Sequence, residues 1–122
     1  MKETLLFVDN DEFIKEVYTC YLKEKEYAVY WHVLGQDATQ QIFDGLYYDI
    51  GLFDRSLPDM SGDEVMTFSK QINPLIPVVC HSGYDTKPNC ADFLIVKPKS
   101  PEELEEIIQK LLHYAKAMRS KD

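Results

Sequence analysis

The sequence contains few cysteines, no long apolar run and no apolar leader, and each shortage excludes a class of protein. Its three cysteines, Cys20, Cys80 and Cys90, lie far apart and include no Cys-x-x-Cys pair, which argues against a disulfide framework and against a zinc site. No apolar stretch approaches the length that spans a bilayer, and the first residues lack the apolar core of a signal peptide. Together with thiols in apolar surroundings, these features predict a cytoplasmic protein.

Basic side chains are also in short supply. There are 13 Lys and Arg against 21 Asp and Glu, a net charge of −8. Nucleic acids and anionic membranes are bound through basic patches, so we expect neither as a partner. The three histidines, His32, His81 and His113, have no metal-ligand spacing. The 122 residues, 45% hydrophobic and 28% charged, are otherwise typical of one globular domain with an ordinary core.

The hydrophobic period alternates along the chain between strand and helix. Short apolar runs such as Leu5 to Val8 are typical of strands that are covered on both faces. We predict strands at 5–8, 27–34, 50–53, 76–80 and 93–96. Helical spacing predicts helices at 14–22, 36–43, 63–72 and from Ser100 onward, where Ser100, Pro101 and Glu103 form a capping box. Strands separated mostly by helices predict right-handed crossovers and a parallel sheet.

One crossover breaks this pattern. Residues 83–92, before the last strand, barely reach the length that a crossover with a packed helix needs. They include Gly83, Pro88 and Asn89, and no apolar residues at helical spacing. We therefore predict that the helix at this position is missing or reduced to about one turn.

Polar residues follow four of the predicted strands. They are Asp9-Asn10-Asp11, Asp54, Ser82 and Lys97. The carboxyl ends of parallel strands meet at one edge of the sheet, where open α/β sheets bind their ligands. Carboxylate oxygens suit Mg²⁺, and a carboxylate beside such an ion can accept a phosphoryl group whose oxygens pair with an amine and a hydroxyl. Taken singly, each residue is also explained as a helix cap, a turn residue or a solvated side chain. Only their joint placement at four strand ends favours a functional site.

These segments resemble the receiver domain of bacterial two-component response regulators, in the expected order and over nearly the whole chain. The resemblance rests on Val8-Asp9-Asn10-Asp11, Asp54-Arg55-Ser56-Leu57-Pro58-Asp59-Met60-Ser61-Gly62, Ser82-Gly83 and Lys97-Pro98. It implies an α/β, flavodoxin-like (βα)5 fold with a doubly wound parallel sheet of strand order 2-1-3-4-5. It also implies a cis peptide bond between Lys97 and Pro98.

The same resemblance implies the role of each residue. Asp54 would be the phosphoacceptor, loaded from a phosphohistidine on a histidine kinase or phosphotransfer protein, with Lys97 as the phosphoryl-binding amine and Ser82 as the switch hydroxyl. Asp9 and Asn10 would hold Mg²⁺ together with Asp54 and the backbone carbonyl of Ser56. Such a domain is not an enzyme beyond slow loss of its own phosphoryl group.

Two positions depart from the family. The second acid after the first strand is replaced by Asn10, which can ligate Mg²⁺ but brings no charge, and Asp11 is a candidate substitute. The switch aromatic is replaced by Leu94. The neighbouring Phe93 faces the other side of the sheet, because side chains alternate along a strand.

Two alternatives therefore stay open. A degenerate receiver would bind proteins without taking phosphate, and a haloacid-dehalogenase-type phosphatase would use Asp9 as its nucleophile but leave the Asp54 motif unexplained. After Lys99 the sequence holds one helix and a short charged tail at 119–122. We accordingly expect residues 1–122 to be a stand-alone receiver without an output domain, which signals to an unidentified downstream protein through residues 83–92 and 102–116.

Overall fold

The described part of the chain forms a five-stranded sheet flanked by four helices. The structure, a computed structural model, describes residues 2–119. The tail predicted at 119–122 therefore lies outside the described residues, except for Arg119. The strands are β1 (Thr4–Val8), β2 (Ala28–His32), β3 (Ile50–Phe53), β4 (Val78–Ser82) and β5 (Phe93–Val96). The helices are α1 (Glu12–Glu24), α2 (Gly35–Phe43), α3 (Gly62–Ile72) and α4 (Pro101–Arg119).

All strand pairs are parallel, in the order β2-β1-β3-β4-β5, and the predicted fold is confirmed. The register places Val8 opposite Phe53 and Ser82 opposite Val96. The last residues of β1, β3, β4 and β5 therefore share one edge of the sheet, as the sequence predicted.

The two faces of the sheet are covered by different helices. In β1, Leu5 and Phe7 pack against α1 and α4, while Leu6 and Val8 pack against α2 and α3. All four side chains are fully buried. Burial on both faces explains why β1 reads as a continuous apolar run and not as an alternating one.

The N-termini of α4 and α2 are capped in different ways. At α4 the predicted capping box is confirmed, since the Ser100 amide donates to Glu103 Oε1 at 3.0 Å and the Glu103 amide donates to Ser100 Oγ at 3.1 Å. The weak helix α2 has no cap of its own. Asp59 from the loop after β3 accepts hydrogen bonds from the amides of Gly35 and Gln36 at 2.8 and 2.9 Å. These hydrogen bonds lower the pKa of the Asp59 carboxyl.

Residues 83–92 form turns and bends, and no helix lies between β4 and β5 in the described chain. The missing fourth helix of the receiver pattern is thus confirmed. Asp92 fastens the segment, because its Oδ2 accepts from the Val78 amide at 2.8 Å and from Lys70 Nζ at 2.5 Å. The strand before it runs to Ser82, two residues further than predicted, since β5 continues to pair with it there.

Candidate functional site

Three of the predicted site residues meet at the edge of the sheet. The Lys97 ammonium donates to Asp9 Oδ2 at 2.8 Å and to Asp54 Oδ2 at 3.1 Å. Because one nitrogen binds both carboxylates, Asp9 and Asp54 must converge on the same point. The structure therefore brings together an anion pair and a cation from β1, β3 and β5.

Asp54 sits at the start of a short, tightly closed loop. Its amide donates to the carbonyl of Val8 at 2.8 Å, and its Oδ1 accepts from the Ser56 amide at 3.2 Å. The loop returns to α3 where the Gly62 amide donates to the Arg55 carbonyl at 2.8 Å. These bonds leave the Asp54 carboxylate half-buried and aimed at the sheet edge, beside Lys97.

Burial and charge act against each other at this site. Asp9 is 1% exposed, and burial raises the pKa of its carboxyl even though hydrogen bonds from Lys97 and from the Asp11 amide oppose the shift. Burial alone would lower the pKa of Lys97, but its hydrogen bonds and charge interactions with Asp9 and Asp54 raise it. Lys97 is accordingly charged at neutral pH.

Ser82 and the peptide after Lys97 complete the edge. The Lys97 amide donates to the Ser82 carbonyl at 2.8 Å, which ties the ends of β4 and β5 together. The buried Ser82 hydroxyl accepts from the Tyr84 amide at 3.1 Å. The Lys97–Pro98 bond is cis, as predicted.

No family model matches the sequence. Comparison with solved structures finds a CheY-like response regulator receiver domain protein from Methanospirillum hungatei, with a TM-score of 0.87 and 26% identity over 97% of this chain and 99% of that one. The response regulator TrrA of Thermotoga maritima, solved in complex with Mg²⁺ and BeF, has a TM-score of 0.78 and 27% identity over 90% of this chain and 99% of its own. This is a receiver domain of the response-regulator type.

A curated relative agrees with this assignment. The cell cycle response regulator CtrA of Brucella ovis is 31% identical over 109 residues, which are 82% of this receiver. The receiver spans less than half the length of the curated relatives it matches, 46% in the case of CtrA. Whether residues 1–122 act alone therefore stays a prediction.

The residues after β1 in this receiver have separate roles. Asp11 caps α1, since its Oδ1 accepts from the amides of Phe13 and Ile14 at 3.0 and 3.1 Å. Asn10 is exposed next to it. The structure thus realises the capping role of Asp11, and its role as a substitute metal ligand stays a prediction.

The donor set of the receiver fits Mg²⁺. Asp9 and Asp54 supply hard carboxylate oxygens that already converge on a cation, and Asn10 can add an amide oxygen. Among residues 2–119 no group of three or more His, Cys, Asp or Glu is arranged to hold a metal. Mg²⁺ requires only one or two carboxylates because it keeps several waters. Asn10 in place of an acid removes one negative charge from this donor set and leaves an amide oxygen at the same position.

Sequence reasoning missed His81. This residue of β4 is 1% exposed, and its Nδ1 lies 4.0 Å from Asp9 Oδ2. Its Nε2 is buried without a hydrogen-bond partner. Burial lowers the pKa of His81 to about 3, so the ring is neutral beside the acidic pair. Only its position inside an apolar strand could have indicated this burial.

The described part of the receiver contains no helix that is both long and apolar enough to cross a bilayer.

Proposed function

We propose that this receiver accepts a phosphoryl group on Asp54 from a phosphohistidine of a kinase or phosphotransfer protein, with Mg²⁺ as cofactor. The observation that supports this most strongly is the convergence of Asp9 and Asp54 on the single ammonium of Lys97. A mere turn residue at position 54 would not need a half-buried carboxylate that a lysine from a distant strand holds in place. The similarity to TrrA, solved with Mg²⁺ and BeF, also favours it.

The chemistry is a phosphoryl transfer between two side chains. A carboxylate oxygen of Asp54 attacks phosphorus, the P–N bond to the donor imidazole breaks, and the imidazole leaves with the electron pair and takes up a proton from solvent. The product is an acyl phosphate on Asp54. The Lys97 ammonium donates to Asp54 Oδ2 at 3.1 Å, and it can donate to a phosphoryl oxygen instead once Asp54 is phosphorylated. Asp9, Asn10, Asp54 and the Ser56 carbonyl would hold Mg²⁺. The ion would offset the negative charge of the carboxylates and of the phosphoryl group.

The output would involve the segment after Ser82. The buried hydroxyl of Ser82 lies at the start of the turn segment that replaces the fourth helix, and it accepts from the Tyr84 amide. If this side chain rotates toward Asp54 to donate to a phosphoryl oxygen, its oxygen moves away from the Tyr84 amide and that hydrogen bond is lost. We propose that residues 83–92 and 102–116 carry this change to a downstream protein. The bistable element would accordingly be smaller than the missing fourth helix or would lie elsewhere, on α4.

Phosphorylation of Asp54 is tested by intact mass measurement. With Mg²⁺ and acetyl phosphate, the wild-type chain should gain one phosphoryl group and Asp54→Ala none. Asp85→Ala, on the exposed turn segment, is the matched control and should label like wild type. Labelling that persists in Asp54→Ala would show that another residue is the acceptor.

An unlabelled wild-type chain would favour the second candidate function, a receiver that binds its partner without phosphorylation. The observation that favours this candidate is the uncharged Asn10 in place of an acid. The same experiment without Mg²⁺ shows whether any labelling depends on the cation.

Asn10→Asp should strengthen Mg²⁺ binding several-fold. The substitution restores one negative charge to an exposed position, where charge interactions are worth on the order of 1 kcal/mol. Calorimetric titration of both proteins with Mg²⁺ measures the difference, and Asn10→Ala should bind more weakly than either. Equal affinities of wild type and Asn10→Asp would mean that another group, such as Asp11, already supplies the charge.

A further inference from the structure

Two consecutive residues of β2 hold the backbone of Asp9 from both sides. The amide of Asp9 donates to the carbonyl of His32 at 3.0 Å. The carbonyl of Asp9 accepts from the indole Nε1 of Trp31 at 2.9 Å. The first bond extends the sheet ladder, but the second is a side-chain contact that the fold itself does not require.

The Trp31 ring has a fixed orientation. It stacks on Phe7 with ring centroids 4.7 Å apart and an interplanar angle of 12°, and the two residues are register partners in β1 and β2. The ring is half-buried, and an indole nitrogen can only donate. Stacking therefore aims the single donor of Trp31 at the carbonyl of Asp9.

The turn that begins at this carbonyl carries the metal-binding candidates. Asp9 Oδ1 accepts from the Asp11 amide at 2.9 Å, so the turn from Asp9 to Asp11 is closed by the side chain of its own first residue. With the Asp9 carbonyl fixed by Trp31, the plane of the Asp9–Asn10 peptide is fixed as well. An uncharged ligand such as Asn10 gains little from charge attraction, and its contribution depends more on being held in place.

We propose that Trp31 is a positioning residue of the phosphoacceptor site, which orders the turn of Asp9, Asn10 and Asp11 for Mg²⁺ through its indole hydrogen bond. This role rests on the proposed function of the site. Trp31 touches neither the metal nor the phosphoryl group; it acts through the Asp9 carbonyl.

The chain has one tryptophan, so its indole nitrogen can be replaced in the otherwise unchanged protein. Global replacement of tryptophan by benzothienylalanine exchanges the N–H for sulfur and keeps the size of the stacked ring. Loss of one neutral hydrogen bond is expected to raise the Kd for Mg²⁺ by about fivefold. In the absence of metal, the Asp11 amide should exchange its hydrogen faster, while labelling at saturating Mg²⁺ should reach the wild-type extent.

Tyr27→Phe is the matched control, because it removes a side-chain hydrogen bond to Glu105 at the opposite edge of the sheet. It should change neither the Mg²⁺ affinity nor the exchange of Asp11. Trp31→Phe, which keeps an aromatic ring but removes the donor, should repeat the effect of the analogue. A substituted chain that matches the wild type in both affinity and exchange overturns the role of Trp31 alone. A wild-type chain that neither binds Mg²⁺ nor labels overturns the proposed function, and this role with it.

Discussion

Replacing Gly62 by alanine should destabilise the domain by about 3 kcal/mol or more and displace the loop that carries Asp54. A Cβ at this position would lie 1.8 Å from the carbonyl oxygen of Asp54 and 2.7 Å from Cα of Arg55. Both neighbours are backbone atoms, so no side-chain rotation relieves the overlap. Either α3 or the loop after β3 must move, and the hydrogen bond from the Gly62 amide to the Arg55 carbonyl breaks with it.

Urea unfolding of Gly62→Ala measures the loss, and acetyl phosphate labelling reports the displacement of Asp54. Gly83→Ala is the control, since a Cβ there meets no atom within 4 Å although the residue lies near the same edge of the sheet. It should unfold and label like wild type. A Gly62→Ala protein of wild-type stability would mean that the loop after β3 is not held in the position described.

Lys97→Met should destabilise the domain by about 3 kcal/mol in the absence of Mg²⁺. The substitution keeps most of the side-chain volume and removes the cation that Asp9 and Asp54 share. The side chains of Asp9 and Asp54 are only 2% and 15% exposed, so hydration of the two carboxylates cannot replace the lost ammonium group. Removing one member of a buried ion group leaves the other charges without a partner.

The loss of unfolding free energy in Lys97→Met, relative to wild type, should be smaller at low pH and in the presence of Mg²⁺. Burial already raises the pKa of Asp9, and without Lys97 it rises further. A raised folded-state pKa means that the folded protein binds the proton more tightly than the unfolded chain does. Lowering the pH toward about 4 therefore protonates Asp9 in the folded variant and removes its repulsion with Asp54. If the proposed function holds, saturating Mg²⁺ should also restore stability, because it would bind the folded site and not the unfolded chain.

Lys99→Met is the control for charge, as Lys99 lies two residues along the chain. Chemical denaturation of both variants at neutral pH, with and without Mg²⁺, checks the prediction. Equal stability of the two variants would show that the Lys97 ion group does not stabilise the fold.

The sequence by itself determined the architecture and most members of the site. Continuous apolar runs predict strands that are buried on both faces, and the run Leu5 to Val8 divides its side chains between two cores as expected. Parallel strands share one edge for their carboxyl ends, so the order of polar residues after each strand predicts that Asp9, Asp54 and Lys97 meet. The short length and the composition of residues 83–92 predicted a helix that is missing or reduced to about one turn, and the structure shows no helix between β4 and β5.

Only the tertiary structure decided which side chains support these residues. Asp59 caps a helix that begins 24 positions before it. Trp31 reaches Asp9 across 22 positions of sequence, and Gly62 has no space for a side chain because Asp54 passes beside it. Local patterns record the period of an element and the residue types at its ends. They contain no information on distances between elements, which are set by how the helices pack on the twisted sheet.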